Sequence, residues 1–587
     1  MTSSLSSVIS LLNAVAMGDK KADLVLKNCS LVSVYTGEII PKSQISVSHD
    51  RIAYVGQDAE YAVGPRTKVI DVQGRFVCPG FADPHVHIDQ FVLPSELAKK
   101  SLLCGVTSLF SDPVDVVSVA GYRGFSEFLK LSEGLPIRIF QVVPGGLPVD
   151  VKFSHSKTLK PSEEISATKH PSVLGMGEVF SWTKVTMRDP KTITSLSSML
   201  ERNCIINGHT AGASGKKLDA YVASGIMSCH EPIDFDQVLE RLRLGMSIMM
   251  REGSIRRDLK NIIPKMLSSG IDTSMLMFCS DGVDPIDLKK YGHIDHCIRE
   301  AIKLGVRPVD AITMASRNCF DYYNMGRDLG GIAPGRLADM VIFEDLKSVR
   351  PRDVFVGGKL VVSKGNLITR VRQKQIPAWL KKTVKLREFT PSDFAISSKK
   401  RTVTANTILM LTEIVTKFGT AELSVKDGAV CASVEKDVWK VAAFDRTGKT
   451  KNHTIGFLEK FGAKVGAFAS TWSLHENDLV VIGTNDSDMA TAANHLVKKQ
   501  GGMAVVIDGK ITSSLPLPIA GIISGKSFES TLSEFEGIIS CITDSGCIFS
   551  RPHLVPLFLP FLAIPQARIL SGGLVDVRKR ALVSPVM

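Results

Sequence analysis

The sequence predicts an α/β fold in which a (β/α)8 TIM-like barrel is inserted into a small β-sandwich domain and followed by a separate C-terminal α/β domain. Two patterns predict it. Over residues 78–330, short apolar runs alternate with amphipathic helical stretches, which is typical of repeated βα units. On both sides of this region, short β-branched runs separated by turns indicate one sheet domain built from two segments.

The predicted β-sandwich begins with residues 1–77 and is completed by residues 331–390, which also contain a basic linker. The strand-like runs of the first half are 23–26, 45–47, 52–55 and 68–72, and those of the second half are 338–343 and 354–361. Residues 391–587 follow as the C-terminal domain. We therefore expect the barrel to lie between two halves of one β-domain.

The barrel prediction depends on apolar runs that are strand-like in length and composition. The clearest are 107–110, 137–143, 204–208 and 275–279, with helical stretches between them. In a barrel of this kind the active site lies where the strands end. Chemically useful side chains that directly follow these runs are therefore the candidates for function.

The composition of the 587-residue chain favours a folded cytoplasmic protein without nucleic-acid or membrane partners. Hydrophobic residues make up 44% and charged residues 22%, which is ordinary for a globular protein. The net charge of +12 comes from dispersed basic groups rather than a basic stripe. The 11 cysteines lack paired spacing, which fits a reducing compartment. The apolar segment 8–17 predicts a surface helix, and segment 554–565 is too short to span a bilayer.

A pair of histidines, His85 and His87, lies directly after the first apolar run of the predicted barrel. Residues two apart in an extended strand project to the same face, so both imidazoles can reach one metal ion. Taken alone, the pair is equally consistent with a polar strand face. Whether it is a metal site depends on further ligands.

Further potential ligands recur at the ends of later apolar runs. They are Glu178, His209, His230 and Asp281. Each one alone has a structural explanation, such as a hydrogen-bonded histidine or a helix cap. Together with the histidine pair they supply four imidazoles and two carboxylates, enough for two divalent ions that share a bridging carboxylate and hydroxide.

The short sequence segments around these residues resemble those of the adenine deaminase family of the amidohydrolase superfamily. The similar segments are 79–88, 208–212, 229–231, 244–246, 251–254, 291–296, 331–339, 483–489, 515–521 and 573–576. They extend over nearly the whole chain, so residues 391–587 resemble the C-terminal domain of that family. The 79–88 segment is shared across the superfamily, whereas 251–254 and the C-terminal segments are specific to this family.

The resemblance implies a hydrolase that converts adenine to hypoxanthine and ammonia, in purine salvage or adenine catabolism. It implies two divalent metal ions, manganese or iron, held by His85, His87, Glu178, His209, His230 and Asp281. Glu178 bridges the ions in this interpretation, and Asp281 is also the catalytic proton shuttle while metal-bound hydroxide attacks C6. The substrate is then the small molecule adenine, and a homo-oligomer is left open.

Four further residues are predicted to bind the substrate: Asp115, Arg251, Glu252 and His475. For Arg251 and Glu252 an ion pair within the barrel is an equal alternative. Near Asp115 and His475 the chain departs from the family pattern, because residues 112–115 read Asp-Pro-Val-Asp and residues 472–478 keep one histidine. Two alternatives therefore stay open: another cyclic amidohydrolase acting on a different purine or cyclic amide, and a metal-binding protein with weak catalysis.

Overall fold

The computed structural model describes residues 3–587, so the first two residues of the predicted N-terminal domain lie outside it. The strands are β1 Leu24–Ser33, β2 Glu38–Ser48, β3 Arg51–Gly56, β4 Lys68–Asp71, β5 Phe76–Pro79, β6 Phe81–Val86, β7 Val106–Ser111, β8 Arg138–Val143, β9 Val173–Val179, β10 Ile205–Gly208, β11 Ser228–Cys229, β12 Ser247–Arg251, β13 Leu276–Cys279, β14 Met340–Phe343, β15 Pro351–Val356, β16 Lys359–Ser363, β17 Asn366–Leu367, β18 Thr402–Met410, β19 Thr416–Lys426, β20 Ala429–Val430, β21 Val438–Phe444, β22 His453–Glu459, β23 Ala467–Ser470, β24 Leu479–Gly483, β25 Gly502–Ile507, β26 Lys510–Pro516, β27 Ala567–Leu570, β28 Gly573–Asp576 and β29 Ala581–Leu582.

The helices alternate with strands in the middle of the chain and are sparse at both ends. They are α1 Leu5–Ala16, α2 Pro94–Leu103, α3 Val114–Ser132, α4 Pro161–Ala167, α5 Trp182–Thr186, α6 Pro190–Leu200, α7 Lys216–Val222, α8 Phe235–Arg243, α9 Leu259–Ser269, α10 Pro285–Lys290, α11 Ile294–Lys303, α12 Pro308–Met314, α13 Arg317–Tyr322, α14 Asp486–Lys499, α15 Phe528–Asp544 and α16 Leu554–Phe558. Short 3-10 turns lie at Glu60–Ala62, Ala378–Lys381 and Pro391–Phe394.

The first sheet combines strands from both sides of the central region. Its order is β17-β16-β15-β14-β5-β1-β2-β3, with β4 beside β1. The two segments join where β5 pairs antiparallel with β14, Val77 opposite Ile342. Helix α1, at the position of the predicted surface helix, begins with a hydrogen bond from the Ser7 amide to the Ser4 hydroxyl and buries one apolar stripe.

The central region contains only parallel strand pairings, five strands in one sheet (β6–β10) and three in another (β11–β13). We call it the parallel-strand region. The two sheets meet on both sides. On one side the Met227 amide donates to the Ile206 carbonyl at 3.0 Å, and on the other the Asp281 amide donates to the His85 carbonyl at 3.1 Å. The four apolar runs from which strands were predicted here overlap β7, β8, β10 and β13.

The C-terminal part forms a nine-stranded sheet of order β20-β19-β18-β22-β21-β24-β23-β25-β26, followed by a small sheet of β27–β29. All pairings in the large sheet are antiparallel except that of β18 with β22. The predicted α/β organisation is therefore realised mainly with hairpin connections, as between β18 and β19, and with few βα crossovers. Helices α14 and α15 pack on this sheet.

Candidate metal centre

The six predicted ligands lie where strands of the parallel-strand region end. His85 is the penultimate residue of β6, and His87 follows that strand. Glu178 is the penultimate residue of β9. His209 and His230 each follow the last residue of their strand, β10 and β11, and Asp281 lies two residues beyond the end of β13. Carboxyl ends of parallel strands share one edge, which is why side chains so distant in sequence converge. All are buried except His209, which is partly exposed.

The ligand atoms of this cluster lie within hydrogen-bonding or ion-pairing distance of one another. Glu178 Oε1 is 3.2 Å from His87 Nε2, and Glu178 Oε2 is 3.0 Å from His209 Nδ1 and 3.2 Å from His230 Nε2. Asp281 Oδ1 is 3.3 Å from His85 Nε2 and 3.5 Å from His87 Nε2. Glu178 therefore touches imidazoles from three different strand ends, as a bridging carboxylate requires.

The donor set fits divalent metal ions. His85, His87 and Asp281 form one group whose ligand atoms lie within 4.8 Å of one another, and His85, Glu178 and His230 form a second such group. Imidazole nitrogens and carboxylate oxygens are the usual ligands of manganese, iron and zinc. His85 Nε2 is buried without a hydrogen-bond partner within residues 3–587. A nitrogen lone pair in that position is well suited to a metal ion.

Asp112 supports the ligands from behind. Its carbonyl oxygen lies 2.8 Å from His87 Nδ1, and hydrogen bonding there leaves Nε2 of the ring facing the cluster. Its carboxylate accepts the Glu178 amide N–H at 2.9 Å. The approach is so close that a Cβ on Gly177 would lie 1.9 Å from Asp112 Oδ2. Only glycine fits at this position.

A second support, Asp83, connects the two strands that meet at the closure of the region. It accepts hydrogen bonds from the Ser280 hydroxyl at 2.5 Å and the Ser280 amide at 3.2 Å, and lies 3.0 Å from His293 Nε2. Ser280 directly precedes Asp281. Asp83 thus links His293 to the residue that precedes a ligand of the cluster.

The electrostatics of the cluster favour charged carboxylates. Burial alone raises the pKa of Glu178, but hydrogen bonds from His209, His230 and His87 outweigh it and hold that pKa well below the ordinary value. Burial likewise raises the pKa of Asp281, but the His85 and His87 rings, 3.3 and 3.5 Å from its Oδ1, outweigh burial and hold that pKa well below the ordinary value. Both groups are therefore in the anionic form that binds a cation.

Glu231 is a member of the cluster that the sequence reasoning missed. Its Oε1 lies 3.4 Å from both His209 Nδ1 and His230 Nε2. The same oxygen contacts Arg251, whose Nη1 is also 3.3 Å from Asp281 Oδ2. The available signal was its position directly after His230, together with the need of buried Arg251 for anionic partners.

Comparisons with protein-family models and with known proteins point to the same family. Residues 76–361 match the model of the amidohydrolase family, and residues 413–581 match that of the adenine deaminase C-terminal domain. The chain is 60% identical to an adenine deaminase of Cenarchaeum symbiosum (strain A), covering 99% of this chain and 95% of the relative. The chain belongs to the adenine deaminase family of amidohydrolases. Adenine deaminases of Clostridium botulinum (strain Loch Maree / Type A3) and Moorella thermoacetica are 35% and 36% identical, each over 99% of this chain and 98% of their own length.

The residues predicted to bind substrate in this adenine deaminase family member lie in different surroundings. Arg251 lies at the ligand cluster, paired with Glu231 and Asp281. Glu252 faces away from it, its Oε1 3.7 Å from His296 Nε2. His475 and Asp115 meet each other at the boundary with the C-terminal domain, where the His475 amide donates to Asp115 Oδ1 at 3.1 Å.

The membrane prediction concerned two apolar segments near the ends of the chain. One of them forms α1 and the other includes α16. Within residues 3–587 the structure contains no helix that is both long enough and apolar enough to cross a bilayer.

Proposed function

We propose that this protein is a metal-dependent adenine deaminase that hydrolyses adenine to hypoxanthine and ammonia in the cytoplasm. The observation that carries the proposal is the convergence of four imidazoles and two anionic carboxylates at the ends of parallel strands, in a chain that resembles adenine deaminases over 99% of its length. Neither alternative, a different cyclic amidohydrolase or a weakly catalytic metal-binding protein, is favoured by a specific contact in the site.

The proposal includes the architecture around the site. The parallel-strand region is a (β/α)8 barrel within residues 78–330, closed where Met227 meets Ile206 and where Asp281 meets His85. Residues 1–77 and 331–390 form the sheet domain into which it is inserted, and residues 391–587 form the C-terminal domain. The shared first sheet and the location of the ligands at strand ends support this arrangement.

We assign two divalent metal sites to the cluster, with manganese the preferred ion and iron an alternative. His85, His87 and Asp281 would hold one ion and His209 and His230 the other, with Glu178 available as a ligand to both. When bound, divalent ions lower the pKa of water towards neutrality and so supply the nucleophile.

The protein groups carry the proton transfers. Hydrolysis forms a bond between the water oxygen and C6 of adenine and breaks the bond between C6 and the exocyclic nitrogen. The Asp281 carboxylate accepts the proton that water loses and returns it to the departing nitrogen, which leaves as ammonia. Arg251, whose Nη1 lies 3.3 Å from Asp281 Oδ2, stabilises the anionic form of this carboxylate before the first transfer and after the second, and keeps it oriented throughout.

The experiment is ammonia release from adenine by purified protein loaded with manganese, with hypoxanthine followed by its absorbance. His85→Ala is expected to abolish the reaction because it removes one ligand. His170→Ala serves as the control, since its side chain is 31% exposed and contacts surface Glu133 and the Ser172 amide rather than the cluster. Wild-type protein with full metal content that leaves adenine unchanged would contradict the proposal.

A further inference from the structure

The C-terminal domain covers the end of the parallel-strand region where the ligands lie. Its contacts fall on segments that follow the strands, at Phe91 after β6, Asp115 after β7, Ser154 after β8 and Asp287 after β13. The Phe91 amide donates to the Ile522 carbonyl at 3.0 Å, and Ser154 Oγ donates to Glu476 Oε2 at 2.5 Å. A substrate that reaches the ligands must therefore pass between these segments and the C-terminal domain.

Asp115 is the point at which one loop of that domain is fixed. This carboxylate is fully buried and accepts N–H groups from Trp472 Nε1 at 3.1 Å, from the His475 amide at 3.1 Å and from Asn477 Nδ2 at 3.4 Å. Gln90 Nε2 donates to it from the other side at 3.1 Å. Because its oxygens are occupied by these donors, the carboxylate is placed to hold the loop and not to contact a substrate.

His475 is the residue of this loop whose ring packs against the segment that follows Glu178. Its ring centroid is 4.4 Å from that of Phe180, which follows Glu178 by two residues, and 4.7 Å from that of Phe561. Its backbone φ is +63°, a conformation unusual for a residue with a side chain, and the Asp115 contact at its amide helps to hold it. The loop is thus held in an uncommon backbone conformation in which this ring lies against Phe180 and Phe561.

The imidazole of His475 has hydrogen-bonding capacity that no neighbouring residue uses. It is 2% exposed, and Nδ1 has no partner within the described residues. A buried polar atom without a partner normally destabilises the fold. None of the ligand groups that could hold a metal among residues 3–587 includes His475. The nitrogen is therefore better suited to a substrate than to a metal ion.

The charge state of the ring agrees with that role. Burial lowers the pKa of His475 to about 4, although the carboxylates of Glu178 and Asp115 act in the opposite direction. The ring is consequently neutral at pH 7. A neutral imidazole has one N–H and one lone pair, which matches the ring nitrogens of a purine.

We propose that His475 of the C-terminal domain contacts the purine through Nδ1, and that Asp115 is a positioning residue that fixes His475 in place. This inference rests on the proposed adenine deaminase activity. It makes the C-terminal domain part of the active site, because the barrel alone supplies the ligands but not this contact.

The first test compares His475→Ala and His475→Gln in metal-loaded enzyme with adenine as substrate. We expect His475→Ala to lower kcat/KM about 10- to 100-fold, mainly through KM, with metal content unchanged, and His475→Gln to recover part of the loss. The matched control is His553→Ala. This residue is also buried with an unpartnered Nδ1 against a phenylalanine ring, but its charged neighbours are Arg551 and Asp287.

The results separate the two proposals. Active wild type with unchanged kinetics in His475→Ala, or an equal loss in His553→Ala, overturns the assignment of His475. Wild type that releases no ammonia from adenine overturns the proposed function and, with it, the purine contact. A loss of metal from His475→Ala also overturns the inference, since the residue would then be supporting the metal centre.

The second test locates the contact and examines Asp115. Deaza-adenines, in which one ring nitrogen is replaced by C–H, are measured as inhibitors. The analogue that lacks the contacted nitrogen should bind wild type more weakly than adenine, but should lose no further affinity in His475→Ala. Equal discrimination by both enzymes contradicts a hydrogen bond.

Asp115→Asn should raise KM as His475→Ala does, and the double variant should be no worse than either single one. Additive losses would contradict a positioning role. If Asp115→Asn does not fold, Trp472→Phe removes one N–H donor to Asp115 and keeps the ring contact with Phe91, and the same comparison applies.

Discussion

Gly177→Ala is expected to damage the metal centre although residue 177 binds no metal. A Cβ at this position would lie 1.9 Å from Asp112 Oδ2 and 2.5 Å from its Cγ. Ordinary carbon–oxygen contacts are about 3.3 Å or longer, so the carboxylate must move by roughly 1.4 Å. That movement breaks its hydrogen bond from the Glu178 amide, which is 2.9 Å long, and shifts the backbone whose carbonyl orients His87.

The magnitude follows from two effects. Overpacking a filled core costs about 1–3 kcal/mol, and leaving the buried Glu178 amide N–H without its acceptor costs about 1–3 kcal/mol. We therefore expect the free energy of unfolding of metal-free protein to fall by about 3–5 kcal/mol. Disturbing a residue that orients a ligand lowers metal affinity about 10- to 100-fold.

Denaturant unfolding and competitive metal titration measure these two losses. The control is Gly525→Ala, an exposed position where a Cβ would meet only Ile519 Cδ1 at an ordinary distance of 3.7 Å. If Gly177→Ala unfolds at the same denaturant concentration as Gly525→Ala and retains wild-type metal affinity, the packing argument for Asp112 is refuted.

Two further predictions concern buried polar groups. Burial raises the pKa of Glu476 from 4.5 to about 8, so the folded state holds a proton that the unfolded state releases between these values. Its stabilising contribution is complete below pH 4.5 and is lost as pH rises to about 8, by about 1.4 kcal/mol per pH unit. In denaturation experiments, the free energy of unfolding of Glu476→Gln should therefore rise relative to that of wild type as pH increases across this interval. A difference between the two proteins that does not change with pH would contradict the prediction. Tyr221→Phe removes a hydroxyl that donates to the Val179 carbonyl at 2.6 Å and accepts the His209 amide at 2.9 Å. It should lower the free energy of unfolding by about 1–3 kcal/mol and weaken metal binding, and wild-type behaviour in both measurements would show that these bonds do not position His209.

The clustering of the six predicted ligands could be foreseen because each lies at or just after the end of an apolar run, and parallel strands bring such positions to one edge. His85 and His87 add the two-residue spacing of an extended strand. Glu231 could not be found in this way. It lies beyond the end of the two-residue strand β11, where the alternation of side chains between two faces no longer applies.

The packing of the C-terminal domain over the ligand cluster could not be predicted from local sequence patterns, for a different reason. The contact between Asp115 and His475 joins residues 360 positions apart, and nothing in the periodicity of either segment specifies the partner. Both residues were singled out as substrate-binding positions, whereas the structure gives Asp115 a set of N–H donors from the C-terminal loop. The mainly antiparallel topology of the large C-terminal sheet likewise depends on strand pairing over long distances.

The central claim is that the clustered residues hold two divalent metals that enable the hydrolysis of adenine. Metal stoichiometry by elemental analysis, measured on the same wild-type and His85→Ala samples as ammonia release, tests it most directly. We expect about two ions per chain and hypoxanthine formation in wild type, and fewer ions with no ammonia release in His85→Ala. Undiminished ammonia release by His85→Ala, or by protein stripped of its metal, would contradict the account.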